Sequence, residues 1–299
     1  MTTNAITPTQ IGTEHRAPLS FRSDRLVKVL LILLLSLGAV AMLYPFVWMI
    51  FSAFKTVPDV LRIPPRLFPE TWTLEAFQMV FGHRVNIWRG YLNSMFITTV
   101  VVVVALFTSS LGGYVFNRLN FPGRHLVFYF VLATTMVPGM TLMIPRYILF
   151  YKAQLLNTYW PIWIGAMFDA FGIFLWGQFI LSIPADLAES AKIDGAGDFS
   201  VYRHIILPLC KPIAAIHTIG LFLGTFNNFL QPLLYLNDEA KFPLTLLLRI
   251  VASRFGGDQQ AVNVVMACSI LVALPSLLVF LIFRRYIIQG ISLTGMAGT

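Results

Sequence analysis

Few side chains in this sequence could do chemistry, and those few lie inside apolar runs. Asp169 stands in the middle of the run 159–181, while a later run carries three amides close together: Asn227, Asn228 and Gln231. A charge at the centre of a bilayer costs on the order of 2.5–3.5 kcal/mol, so Asp169 is expected to face protein or a water-filled path. Amides combine hydrogen-bond donors and acceptors, which suits sugar hydroxyls. All four residues are therefore candidate linings of a substrate path, and hydrogen bonds between helices are the alternative.

The remaining reactive residue types do not form a catalytic or metal-binding set. The two cysteines, Cys210 and Cys268, are far apart in the sequence and make no Cys-x-x-Cys pair. No nucleophile and base form a recognisable pair, and the histidines are too scattered for a ligand group. They occupy positions 15, 83, 125, 204 and 217. The sequence therefore predicts no catalytic residue and no metal site, which argues against a membrane enzyme.

The composition is that of a membrane protein. Of the 299 residues, 57% are hydrophobic and only 11% are charged, against about 25% charged residues in a typical soluble domain. A helix needs about 20 apolar residues to cross the roughly 30 Å hydrocarbon layer. We therefore predict an all-α fold, a polytopic membrane helix bundle of about six transmembrane helices. The qualifying stretches are approximately 26–52, 91–116, 125–150, 159–181, 212–236 and 264–283.

Charge and proline refine this prediction without setting the orientation. The net charge is +8, but the basic residues sit between apolar runs and form no stripe that would bind nucleic acid. They divide almost evenly between the two sides, so the positive-inside rule decides nothing here. Pro138-Gly139 and Pro145 lie inside the third stretch, which is expected to be kinked or broken.

Two connections, 53–90 and 182–211, are longer than ordinary turns and are expected to have a function. In the second, Asp186 is a plausible N-cap of a short helix, and Asp194-Gly195 is a turn signal that ends it. Leu187, Ala188 and Ala191 are expected to form a docking face, because small alanines permit close approach. The pattern predicts a helix that lies flat on the membrane and fits a groove of another protein.

This connection resembles the signature of ABC importer permeases, which has the form Glu-Ala-Ala, Gly and Ile-x-Leu-Pro at fixed spacings. Ser190 replaces the usual second alanine, a small-for-small change. Elsewhere the chain resembles the carbohydrate-type subfamily and its maltose-permease-like second membrane subunit, as in Gly113-Tyr114-Val115-Phe116-Asn117-Arg118 and Phe226-Asn227-Asn228-Phe229. The residues that match the signature are Glu189, Ser190, Ala191, Gly195, Ile205, Leu207 and Pro208. The resemblance implies that these residues, together with Asp194, act in ATPase coupling.

The resemblance implies a type I ABC importer permease fold and a set of partners. These are a second permease subunit in a heterodimer, two cytoplasmic ATPase subunits, an extracytoplasmic solute-binding protein and membrane lipid. The resemblance also implies that Gly256 and Gly257 lie in an outer loop that contacts the binding protein, and that the solute is a sugar or oligosaccharide. No Gly-x-x-x-x-Gly-Lys-Ser/Thr loop occurs, so the ATP and Mg²⁺ would be used by a partner.

The organisation expected from these features is a multi-pass protein of the cell membrane. Residues 1–25 form a cytoplasmic tail, 26–90 the first transmembrane helix with a long external loop, and 286–299 a second cytoplasmic tail. Residues 91–285 form the core permease domain, with five transmembrane helices and the coupling loop 182–211. A secondary transporter of a small polar solute is the alternative, because it would also carry polar residues inside its spans and no ATP site.

Overall fold

The computed structural model describes residues 25–82, 86–256 and 262–296. The regular secondary structure of these residues is helical, and they form no strand. The predicted all-α fold is thereby confirmed. The helices of the first half are α1 Arg25–Ala53, α2 Val57–Val60, α3 Glu75–Gly82, α4 Ile87–Arg118, α5 Arg124–Thr135, α6 Met143–Lys152, α7 Trp160–Met167 and α8 Ala170–Leu181. Those of the second half are α9 Asp186–Ile193, α10 Asp198–Val201, α11 Leu207–Leu209, α12 Lys211–Phe226, α13 Leu230–Tyr235, α14 Leu244–Gly256 and α15 Val262–Met296.

By length and composition, the described part of the chain contains four spans that could cross a membrane. They are Val27–Ala53, Ile87–Arg118, Trp160–Leu181 and Val262–Arg284. A fifth is present if Asp198–Leu209 and Lys211–Phe226, which are bent by 75° to one another, are counted as one. The expected number of six is therefore not reached by continuous helices alone.

The difference comes from helix breaks. The stretch 125–150 forms α5 and α6, of 12 and 10 residues, which are separated at 136–142 where Pro138-Gly139 predicted a break. At 1.5 Å per residue, neither piece alone crosses the hydrocarbon layer. The stretch 212–236 is also interrupted, because α12 ends at Phe226 and α13 begins at Leu230.

The chain divides after Trp48 into two units. The part of α1 in the first unit is a continuous apolar helix whose described side chains from Val27 to Phe46 are exposed. The second unit holds the remaining helices. Its central element is α4, which packs most extensively against α8 and also contacts α7, α12 and α14. In lipid such association depends on close packing and hydrogen bonds between helices rather than on the hydrophobic effect.

The long connection after α1 is ordered by buried polar contacts. The Lys55 side chain is fully buried and donates a hydrogen bond to the carbonyl of Arg66. The Asp59 carboxylate accepts from the Glu70 N–H at 2.9 Å, and Asn263 on α15 donates to the Lys55 carbonyl at 3.0 Å. The first two bonds order the loop internally and the third ties it to the beginning of the last span, so the segment is a folded part of the bundle.

Candidate functional site

The coupling segment, residues 182–211, is built around the eight-residue helix α9. Its N-cap is Ala185, which has no capping side chain, and Asp186 is the first helical residue. The prediction that Asp186 is the N-cap is therefore wrong by one position. As a carboxylate in the first turn, Asp186 still interacts favourably with the positive end of the helix dipole.

The end of α9 is the turn that Asp194-Gly195 predicted. Gly195 has a φ of +88°, a left-handed conformation that favours glycine. The Gly195 N–H bonds to the Lys192 carbonyl at 3.0 Å, and the Ala196 N–H bonds to the Ala191 carbonyl at 2.9 Å. This pair of bonds is a Schellman motif, which satisfies the last carbonyls of the helix. The turn is therefore defined by backbone geometry and needs no other support.

An exposed ion pair closes the same turn. The Nζ of Lys192 lies 2.6 Å from Oδ1 of Asp198, and both side chains are about half exposed. The hydrogen bond that the Lys192 ammonium donates to the Asp198 carboxylate raises the pKa of Lys192. The lysine therefore stays charged at neutral pH, and its contribution is lost as the pH rises through that raised value. Exposed pairs contribute about 0.2–1 kcal/mol, so Lys192 supports the turn without determining it.

The faces of α9 differ from the predicted arrangement. Ala188 is only 9% exposed, and Ala191 packs with it against the chain's own core, so these alanines do not form the docking face. Their small size instead lets α9 lie close to the bundle. The exposed apolar side chains are those of Leu187, at 46%, Ile193, at 87%, and Phe199, at 63%. Glu189 is exposed on the same helix.

The rear of the coupling segment turns the chain into the next span. A π-helical turn, Tyr202–Ile206, precedes α11, and the Leu207 N–H bonds to the Tyr202 carbonyl five residues earlier. Pro208 lacks an N–H, which interrupts the ordinary helical pattern here. Ile205 packs against the core around Ile206, while Leu207 and Pro208 are exposed at the corner.

Asp169 lies in the break between α7 and α8 and is bonded on both carboxylate oxygens. Oδ1 accepts from the Gly172 N–H at 3.0 Å and caps α8. Oδ2 lies 2.7 Å from Nε2 of His217 on α12, and the Trp176 indole N–H donates to Nδ1 of the same ring at 3.0 Å. Asp169 thus joins two helices, which was the alternative to a path-lining role, although its side chain retains 21% exposure.

The donor pattern defines the state of this cluster. An indole nitrogen can only donate, so Nδ1 of His217 accepts and Nε2 carries the proton that it donates to Asp169. The imidazole is neutral and the carboxylate is its acceptor. A Cβ on Gly172 would lie 2.4 Å from Oδ2 of Asp169 and 2.5 Å from Cε1 of His217. Only glycine leaves room for the pair at this position.

The three amides lie at the break between α12 and α13, but they do not share one helix face. Asn227 donates to the Leu223 carbonyl at 3.0 Å and to Ser276 Oγ on α15 at 3.3 Å. The Asn228 side chain accepts from the Gln231 N–H at 3.2 Å. Asn228 and Gln231 line one small cavity together with polar residues of α4, among them Ser94 and Thr98. Because α12 ends at Phe226 and α13 begins at Leu230, Asn227 and Gln231 do not lie one turn apart on a single helix.

The structure therefore separates the predicted path residues into two sites. His217 and Asn227 are ten positions apart on α12, about 15 Å along a helix axis, and Asp169 does not line the cavity of Asn228. Gly256 is the last residue of α14, and Gly257 lies outside the described residues. The sequence analysis did not identify the His217 pair, although two ionisable residues in neighbouring apolar runs are expected to pair in a membrane.

Asp169→Asn is expected to lower the melting temperature of the purified chain. If the new asparagine oxygen still accepts from the Gly172 N–H, its NH₂ group faces Nε2 of His217, which also carries a proton. If the His217 proton moved to Nδ1, that N–H would face the Trp176 indole N–H instead. One buried donor is left unpaired, at a cost of about 1–3 kcal/mol. Asp238→Asn is the matched control, because Asp238 also caps a turn by accepting from a backbone N–H, that of Ala240, but has no histidine partner. Equal stability of Asp169→Asn and the unmodified chain would contradict this account.

The chain matches the family described as binding-protein-dependent transport system inner membrane component over residues 109–293. It is 32% identical to an arabinooligosaccharides transport system permease protein of Halalkalibacterium halodurans, covering 85% of this chain and 91% of the relative. It is also 32% identical to a polygalacturonan/rhamnogalacturonan transport system permease protein of Bacillus subtilis, covering 92% and 99%.

A solved structure shows the same fold. It is a bacterial ABC transporter involved in the import of the acidic polysaccharide alginate, with a TM-score of 0.76 and 24% identity over 91% of this chain and 100% of that one. Together with the helical bundle, its apolar spans and the coupling segment, these similarities decide against a secondary transporter. The chain belongs to the inner membrane components of binding-protein-dependent transport systems, and it is a multi-pass permease subunit of an ABC importer.

Proposed function

We propose that this chain forms a translocation path with a second permease subunit and that α9 couples the path to two partner ATPases, which use ATP and Mg²⁺. The observation that carries the proposal is the exposed face of α9. Ile193, one turn after Glu189, presents apolar surface to solvent beside it, Leu187 is exposed on another side of the same helix, and the helix ends in a rigid turn at Gly195. Large apolar side chains exposed on a short polar segment indicate a protein partner.

The chemistry of this face predicts the groove that receives it. Leu187, Ile193 and Phe199 supply the apolar contacts, and three acidic residues, Asp186, Glu189 and Asp194, lie on or next to the helix. A complementary groove therefore has an apolar floor and a basic rim. Charge-assisted hydrogen bonds from a basic side chain to Glu189 would add strength and orientation.

Glu189→Lys and Gly195→Val are expected to leave the chain inserted in the membrane but to weaken its co-purification with the ATPases. Removing one partner of a buried interfacial charge pair costs about 2–5 kcal/mol and a reversed charge adds repulsion, and a β-branched residue is strained at the positive φ of Gly195. Glu75→Lys is the matched control, because α3 is also an eight-residue helix with an exposed glutamate in its first turn. Normal ATPase binding and normal uptake in both test variants would show that α9 is only a linker.

We also propose that the transported solute is a sugar or oligosaccharide. Relatives with 30–32% identity are named for the transport of arabinooligosaccharides, diacetylchitobiose and lactose. The cavity at the break after α12 is lined by the amides of Asn228 and Gln231, with the buried hydroxyls of Ser94 and Thr98 opposite; its volume of about 10 Å³ holds one water molecule, so a solute reaches these groups only when the cavity opens. This set of donors and acceptors suits a polyhydroxylated solute. Asp169, with its partly exposed carboxylate, is a second candidate for the path.

Gln231→Ala is expected to raise the half-saturation concentration of uptake by about two- to tenfold, the range for one lost hydrogen bond, without lowering the amount of protein in the membrane. Uptake would be measured with radiolabelled arabinotriose, lactose and diacetylchitobiose. Asn227→Ala is the comparison, because Asn227 bonds to α15 and its loss is expected to lower the amount of protein instead. Loss of protein from the membrane with Gln231→Ala would contradict a role in the path.

The family is described as binding-protein-dependent, and we propose that Gly256 and Gly257 contact that binding protein on the outer side. Bulky residues in place of both glycines are expected to impair uptake while the complex still assembles. Unchanged uptake would count against the contact.

A further inference from the structure

We infer that Ser110, Tyr114 and Arg118 are positioning residues that hold the chain on α4 both before and after α9. Through these contacts a displacement of α9 is passed to α4. The three residues are spaced by four, so they lie along one face of α4. This inference rests on the proposed role of α9. It adds the element that receives the motion and the side chains that make the connection.

The part of the coupling segment that follows α9 is held by one buried and one partly buried hydrogen bond. The hydroxyls of Ser110 and Tyr202 are 2.7 Å apart, and the Tyr114 hydroxyl donates to the Asp198 carbonyl at 3.1 Å. The rings of Tyr114 and Tyr202 also pack together, with centroids 5.3 Å apart. All three side chains are less than 5% exposed. Breaking a buried bond without a replacement costs about 1–3 kcal/mol, so this part does not slide freely over α4.

The chain just before α9 is held by Arg118, the last residue of α4. Its Nη2 donates to the Ile180 carbonyl at 2.8 Å and also to the carbonyl of Ile183. These carbonyls belong to the end of α8 and to the turn just before α9. A cation at a helix C-terminus is favoured by the helix dipole, and the guanidinium supplies donors that the helix end lacks. The chain before α9 and the chain after α9 are therefore attached to the same helix, α4.

The other half of α4 reaches the candidate path. Ser94 and Thr98 line the cavity that contains Asn228 and Gln231, and twelve residues, about 18 Å, separate Thr98 from Ser110. Within the second unit, the spans that include α5, α7 and α12 are broken or bent, whereas α4 runs for 32 residues without interruption. A continuous helix transmits a displacement with little bending. A push on α9 would therefore reach the outer half of α4 directly.

The experiment uses the complex of this chain with its second permease subunit and its ATPases in lipid nanodiscs. Spin labels on Leu92→Cys, in the outer half of α4, and on Leu61→Cys, at the end of α2, which packs against α15, report a distance with and without Mg·ATP and vanadate; both positions are exposed, and the native cysteines are buried. Ser110→Ala combined with Tyr114→Phe removes only hydroxyls. We expect this variant to keep ATPase binding, while the fraction that shifts on nucleotide addition falls about two- to tenfold.

Two controls separate positioning from general stability. Tyr159→Phe removes the same kind of bond, since the Tyr159 hydroxyl donates to the Lys241 carbonyl at 3.0 Å. Tyr159 does not contact the coupling segment through this bond, so we expect the shift to be unchanged. Arg118→Met is expected to reduce the shift, and Arg118→Lys, which retains a donor, to restore part of it. An unchanged shift in the hydroxyl variant, no shift in the unmodified complex, or loss of ATPase binding in the variant would each overturn the inference. Failure of the unmodified chain to bind the ATPases would overturn the proposed function itself.

Discussion

The constraint on which this structure depends is that backbone polar groups inside a bilayer have no water to bond to. Every interruption of a span must therefore bring its own partner. Asp169 caps α8 at the break after α7, Asn228 accepts from the start of α13 at the break after α12, and Arg118 covers carbonyls at the end of α8. These three polar residues are placed where helices stop, and such breaks are also the places where a transporter can bend.

The coupling segment follows the same rule outside the apolar layer. It ends α9 with backbone bonds around Gly195, closes the turn with the Lys192–Asp198 pair, and buries Ala188 against the bundle. Because the polar groups of the turn are bonded within the chain, Leu187, Glu189 and Ile193 remain available for a partner. A rigid helix with unused apolar surface is suited to transmit force between subunits, whereas a flexible loop would absorb it.

The sequence predicts the elements better than their contacts. Hydropathy locates the apolar runs, and Pro138-Gly139 and Asp194-Gly195 locate a break and a turn, because these signals act within a few residues. Which way the Ala188 side chain faces could not be predicted, since a small side chain fits both the groove of a partner and the chain's own core. The Asp169–His217 pair joins residues 48 positions apart, and its geometry depends on Trp176 and on the space at Gly172. Such pairings follow from packing, which a single sequence does not display.

Accessibility of α9 tests the central claim most directly. A cysteine placed at Ile193, whose side chain is 87% exposed, would be labelled with a membrane-impermeant maleimide in right-side-out and inside-out vesicles, with and without bound ATPases. Glu75→Cys on the connection 53–90, which is expected on the outer side, serves as the orientation control. The account predicts labelling of Ile193→Cys only in inside-out vesicles, with protection when the ATPases are bound. Labelling from the outer side, or labelling that the ATPases do not change, would contradict it.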